Sequence, residues 1–184
     1  RSQMHWETLV MALRVLNLTH PADQALDQAL KRYPHSSTLW IERYLLDLLR
    51  GQSHDARRAL DRAHACILHH EPASSIALQR WHLHRASFAL YVEHDPALAW
   101  EHLQHVPLDL PDAHATPLRI QVQLALGDAE GAYTTLRPLL RERPEDLGLR
   151  MLEMECLATL EAWDSLAEHL RDLPAAVRRR GRTV

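Results

Sequence analysis

Residues 126–146 read LGDAEGAYTTLRPLLRERPED. Gly127 and Asp128 stand where a helix begins, and Pro144 stands where one ends. Between them Ala132, Leu136 and Leu139 keep helical spacing, yet Pro138 sits in the middle. A proline inside a helix removes a backbone donor and crowds the preceding turn, at a cost of about 3 kcal/mol. The stretch is one bent helix, two short helices or a loop, and the choice sets the fold.

The flanking sequence decides it through a repeat. Leu126 and Leu160 are 34 residues apart, as are Ala132 and Leu166, Leu136 and Leu170, and Leu139 and Leu173. The same step of 34 links Trp6 to Trp40, Ala22 to Ala56, Leu26 to Leu60 and Ala29 to Ala63. A step of 33 joins Ala99 to Ala132, Leu103 to Leu136, Val106 to Leu139 and Pro111 to Pro144. Pro34, Pro111 and Pro144 close successive units, each with two apolar-periodic segments of about 14 residues around a short turn. Residues 126–146 therefore hold the second helix of a helical hairpin. Pro138 is expected to bend that helix on its outer side, where water satisfies the carbonyl of Thr134.

Composition agrees with an all-helical chain. Hydrophobic residues make up 46% of the 184 positions, enough for a core, while the chain has only 5 Gly and 1 Phe. Leu, Ala, Arg, Glu and Asp dominate, and the β-branched and aromatic residues that strands favour are few. Lys31 is the only lysine among 21 basic residues, which points to a GC-rich, bacterial genome. A net charge of −3 argues against a general nucleic-acid binder, so no nucleic-acid partner is expected. No apolar run approaches the roughly 18 residues that span a bilayer, and no leader is visible. Membrane contact is expected only through a parent protein. The chain opens on Arg1 with helical periodicity close behind, so it is expected to be a segment of something longer, in the bacterial cytoplasm or periplasm. Cys66 and Cys156 are expected to be two separate buried thiols rather than a disulfide.

The pattern resembles the tetratricopeptide repeat family. That family carries a bulky residue at repeat position 4, small or apolar residues at 7, 8 and 11, and glycine near 15. Alanine follows at 20, a large apolar residue at 24, a small one at 27 and proline at 32. Counting from Gln3, the first repeat supplies Trp6, Leu9, Val10, Leu13, Ala22, Leu26, Ala29 and Pro34, with Asn17 where glycine is usual. The second supplies Trp40, Gly51, Ala56, Leu60 and Ala63. The fourth supplies Gly127, Ala132, Leu136 and Pro144, with Thr116 and Arg119 at positions 4 and 7. The fifth is degenerate, with Glu161 for glycine and Leu166 for alanine. The resemblance implies a right-handed α-solenoid of antiparallel helix pairs, one domain over residues 1–184. Its repeats fall near 3–36, 37–72, 78–112, 113–146 and 147–174, with a basic tail at 175–184.

One interval breaks the period. Ala56 and Ala99 are 43 residues apart, and Pro72 comes four residues later than the step from Pro34 predicts. Four or five residues make about one helical turn. The second helix of repeat two and the first of repeat three should each gain about a turn, and their shared tip at 69–75, HHEPASS, should protrude. Ser74 or Ser75 is the expected N-cap of the following helix.

No catalytic pattern emerges. The 14 histidines invite a metal, but there is no H-E-x-x-H or C-x-x-C. His102 and His105 share a helix face, whereas His69 and His70, and His82 and His84, face apart. No nucleophile elbow, phosphate-binding loop or dinucleotide fingerprint occurs. No enzyme activity, cofactor or metal is expected. Arg178, Arg179, Arg180 and Arg182 form a short basic cluster that could attract phosphate or an anionic membrane surface; it is expected instead to be the cationic end of the last helix and a basic tail.

In the family it resembles, first helices line a concave groove that binds a protein or peptide partner. The resemblance makes polar residues of those helices the candidates: Glu42, Arg43 and Asp47 in repeat two, Arg85 in repeat three, Arg119, Gln121 and Gln123 in repeat four, and Arg150, Glu153 and Glu155 in repeat five. Arg43, Arg119 and Glu153 occupy position 7, normally an apolar contact. The family's carboxylate-clamp pattern is not matched. The expected function is a non-enzymatic interaction scaffold. Two alternatives stay open: a segment of a larger bacterial envelope protein serving exopolysaccharide export or secretion, and a regulatory or sensor domain of a larger enzyme or transcription regulator.

Overall fold

A computed structural model describes residues 2–70, 75–107 and 114–172. They form ten helices: α1 (Gln3–Val15), α2 (Thr19–Arg32), α3 (Ser37–Leu49), α4 (Ser53–His70), α5 (Ile76–Tyr91), α6 (Pro96–Leu103), α7 (Ala115–Ala125), α8 (Ala129–Glu142), α9 (Leu147–Thr159) and α10 (Trp163–Asp172). No strand occurs among the described residues. Consecutive helices pair as antiparallel hairpins that stack into a right-handed α-solenoid, each element packing on near neighbours in sequence.

The core follows the alanine register. Ala22, Ala56, Ala99 and Ala132 are fully buried, as are Leu26, Leu60, Leu103 and Leu136 one turn later. The small residue lets two helices of a pair approach closely, and the leucine fills the space toward the next pair. The apolar clusters follow the chain accordingly. One spans α1–α3, one α3–α5, one α5–α7 and one α7–α9. Cys66 and Cys156 are separate, buried and free.

Each hairpin turns through one left-handed residue. Asn17 (φ 58°), Gly51 (φ 71°), Gly127 (φ 82°) and Glu161 (φ 55°) lie two residues past the end of their first helices, and His94 (φ 56°) lies three past the end of α5. Around Asn17 the Leu18 amide donates back to the Leu13 carbonyl at 2.9 Å, and Gln52, Asp128 and Ala162 make the matching bond to Asp47, Gln123 and Leu157. This is a helix C-terminus closed by a left-handed residue, a place that favours glycine because it has no Cβ. Asparagine tolerates the conformation better than histidine or glutamate do.

The lengthened hairpin is present. α4 has 18 residues against 14 in α2 and α8, and α5 has 16 against 13 in α1, α3 and α9. Ser75 caps α5, its Oγ accepting the Leu78 amide at 3.1 Å. The tip at 71–74, including Pro72 and Ser74, lies outside the described residues, as do Pro111, Leu173 and the arginines at 178–182.

One element differs from expectation. α6 has 8 residues rather than about 14. Asp95 caps its start through Oδ1 at 2.9 Å, and Pro96 occupies the first turn. Beyond Leu103 the chain passes through a hydrogen-bonded turn to Val106, and Pro107 cannot extend a helix. By contrast, α8 runs unbroken through Pro138. Thr134 and Pro138 both lie on its exposed side, where solvent reaches the carbonyl that proline leaves without a donor.

The left-handed turns give a direct test. Glu161→Gly and His94→Gly each relieve a side chain at positive φ and should raise stability by about 1 kcal/mol in urea titrations. Gly51→Ala and Gly127→Ala should lower it by a similar amount, although nothing lies within 4 Å of the added Cβ. Equal effects of both kinds of substitution would contradict the shared turn.

Candidate protein-binding surfaces

Two faces of the solenoid carry polar groups. First helices touch in succession, α1 to α3, α3 to α5, α5 to α7 and α7 to α9, and make one continuous surface. On the other face a cleft of about 590 Å³ opens between α2 and α4, floored by Trp40, Arg43 and Asp47 of α3.

The ten candidate residues divide between these faces and the interior. Arg43 belongs to the cleft: Nη1 donates to Asp23 at 2.6 Å, Nη2 to Asp27, and Asp47 lies 3.9 Å away. Arg50 joins at 3.0 Å from Asp23. Burial opposes ionisation of Asp23, but hydrogen bonds and charge from Arg43 and Arg50 hold its carboxyl below the usual range. For Asp47 burial wins over Arg43, and its carboxyl is pushed up.

Besides Asp47, four more candidates are buried: Glu42, Arg85, Gln123 and Glu153. Glu42 accepts from Arg14 Nε at 2.6 Å, tying α1 to α3. Arg85 donates to Glu93 at 2.7 Å, and Arg57 of α4 reaches the same carboxylate. Gln123 donates to Asp128 at 3.2 Å and accepts from Thr135 at 3.1 Å, fixing the α7–α8 turn. Glu153 accepts from Arg150 at 3.0 Å, and Arg150 also donates to the Pro144 carbonyl at 2.8 Å. A buried charge is tolerated when it is paired and hydrogen-bonded in this way.

Arg119 explains where α6 stops. Nη2 donates to the carbonyls of Leu103 and Val106, both at 3.0 Å, and the guanidinium lies 5.7 Å from the Trp100 ring centre. It closes the C-terminal carbonyls of the preceding helix, where a cation is favoured. Position 7 therefore reaches back to the preceding second helix in two hairpins, Arg43 to α2 and Arg119 to the end of α6.

Gln121 and Glu155 remain on the first-helix surface. Tyr91, the last residue of α5, donates its hydroxyl to Gln121 Oε1 on α7. Burial, and then the charge of Glu155 on α9, push the Tyr91 hydroxyl up. These three side chains step along three successive first helices. Exposed Leu49 on α3 and Met151 on α9 extend the surface.

Several participants were not among the candidates. Asp23 and Asp27 are an i, i+4 pair on α2, a spacing visible in the sequence although their partner Arg43 is not. The histidine cluster was also missed. His82 and His102 place their Nδ1 atoms 3.0 Å apart, so one of them carries the shared proton. His105 stacks on His82 at 4.5 Å between ring centres, and His64 stacks on Trp81 at 3.9 Å. Burial first, then the neighbouring His105, His102 and His64, lower His82 to about 4. Burial and Arg85 lower His102 despite Glu101, and burial lowers His64 despite Asp61. Among the described residues no group of three or more His, Cys, Asp or Glu is arranged to hold a metal ion, and no helix is long and apolar enough to cross a membrane.

No family model and no curated protein matches the chain. A solved structure does, that of "Functional Characterization of Pseudomonas Aeruginosa pilF". The match has a TM-score of 0.72 at 14% identity and covers 92% of this chain and 73% of that one. At this identity the likeness is one of fold, a superhelix of the tetratricopeptide type.

The histidines predict a pH response. His82 must be neutral in the folded chain, with a folded value of about 4 against 6.5 for a free side chain. Its contribution is complete above pH 6.5 and is lost as pH falls toward 4. The melting temperature should fall across this window, and His82→Gln should flatten the fall. An identical pH profile in the variant would contradict the assignment.

Proposed function

We propose that the chain is a non-enzymatic scaffold whose first-helix surface binds a protein or peptide partner. The observation that carries this reading is the continuity of that surface. Five first helices follow one another, and Leu49, Tyr91 and Met151 expose apolar area on them, at 57%, 52% and 63%. Exposed apolar groups beside Gln121 and Glu155 offer a partner buried area plus hydrogen-bond direction. Glu42, Arg85, Gln123 and Glu153 support the surface from beneath, holding helices in place, and Arg43, Asp47, Arg119 and Arg150 brace the outer side. Gln121 and Glu155 are the candidates that meet the partner directly.

The purified chain should capture a protein partner from its source cell, identified by cross-linking and mass spectrometry. Leu49→Asp and Glu155→Arg should each weaken that partner at least tenfold, about 1.4 kcal/mol. Glu130→Arg, on α8, should leave it bound. Retention of every captured partner by both surface variants would refute this binding face.

A further inference from the structure

Glu42 and Glu153 are buried, and each accepts from an arginine, at 2.6 and 3.0 Å. Asp47 on α3 is equally buried, at 4% exposure, but its carboxylate accepts no hydrogen bond among the described residues. Arg43 Nη1 stands 3.9 Å away, beyond hydrogen-bond length, and is already committed to Asp23 at 2.6 Å. Burial raises the Asp47 carboxyl, Arg43 and Arg50 oppose the rise, and Asp55 and Asp23 add to it. A buried carboxylate without a hydrogen bond is costly. This one lines the cleft of about 590 Å³ between α2 and α4, where an incoming donor can meet it.

The order of charge in the cleft shows what that donor is. At α2 and α3, Asp23, Asp27 and Asp47 meet Arg43 and Arg50, which leaves one negative charge unmatched. Along α4, Asp55 meets Arg58 and Arg62, which leaves one positive charge unmatched. Arg58 lies 3.7 Å from Asp55, and Arg62 makes no ion pair among the described residues. A ligand with a cation for α3 and an anion for α4 matches this order. Trp40 lines the α3 side, its ring fixed by Nε1 donating to the Pro34 carbonyl at 2.8 Å. A planar guanidinium stacks on an indole and gives two parallel hydrogen bonds to one carboxylate, which an ammonium does not. A metal ion fits less well, since no group of three or more His, Cys, Asp or Glu among the described residues is arranged to hold one. The volume suits a short stretch of peptide.

We propose that the cleft binds a peptide segment of a partner protein in which an arginine lies beside an acidic residue. The guanidinium enters against Asp47 and Trp40, and the neighbouring carboxylate meets Arg58 and Arg62. The cleft is on the other face from the first-helix surface, so the two binding proposals fail separately. Isothermal titration calorimetry with the blocked peptide acetyl-Gly-Arg-Glu-Gly-amide should show saturable binding. Citrulline in place of its arginine keeps the shape, loses the charge and should weaken binding at least tenfold. Asp47→Asn should weaken it by a similar factor, with the melting temperature held or raised because a buried charge is removed. Exchanging the peptide's glutamate for glutamine should weaken binding to the native chain but not to the double variant Arg58→Gln, Arg62→Gln. No binding at millimolar peptide, equal binding of the arginine and citrulline peptides, or an Asp47→Asn chain that binds as the native chain does would overturn the proposal. Free arginine binding as tightly as the peptide would overturn it too, by assigning the cleft to a small-molecule ligand.

Discussion

Four alanines set the geometry on which the rest depends. Ala22, Ala56, Ala99 and Ala132 have no exposed surface, and each lies where two helices of a hairpin meet. A larger side chain there would drive the helices apart or force strained rotamers, at about 1–3 kcal/mol. With the helices close, the leucine one turn on reaches the next pair, and a row of clusters replaces a single central core. Stability in such a stack is a sum of local terms and neighbour contacts. The polar position-7 residues are compatible with this logic because their charges are matched within the stack. Arg43 finds two aspartates on α2, and Arg119 finds the open carbonyls at the end of α6.

What was legible in the sequence is what repeats. The alanine and leucine steps gave the helix pairs, the interval of 43 gave the long hairpin, and the apolar register placed Pro138 outside. Where the signal is a single residue against its type, legibility fails. Asn17, His94 and Glu161 share a backbone conformation with Gly51 and Gly127, but only the glycines announce it. The short α6 was hidden because Leu103 and Val106 keep the register whether or not the helix continues. Pro107 was the local signal that it stops.

The candidate site was legible in residue type and only partly in place. Polar side chains on first helices were visible as departures from an apolar pattern. Which face some of them take depends on distant partners, such as Asp27 for Arg43, 16 residues away, or Tyr91 for Gln121, 30 residues away. Adjacent histidine spacing likewise showed which imidazoles face apart on one helix. It did not show that His82 on α5 meets His102 on α6, because that contact is made by the hairpin. The chemistry of both faces is therefore a product of stacking: the cleft, the braced interior and the exposed first-helix surface all follow from hairpins held at a fixed spacing.

Hydrogen exchange on Ala99→Leu tests that spacing most directly. If the alanine crossing holds each hairpin, protection should fall in α5 and α6 and in the helices packed beside them, α4 and α7, while α1, α2 and α9 keep their original exchange. Exchange that is unchanged everywhere, or raised equally along the whole chain, would contradict the account.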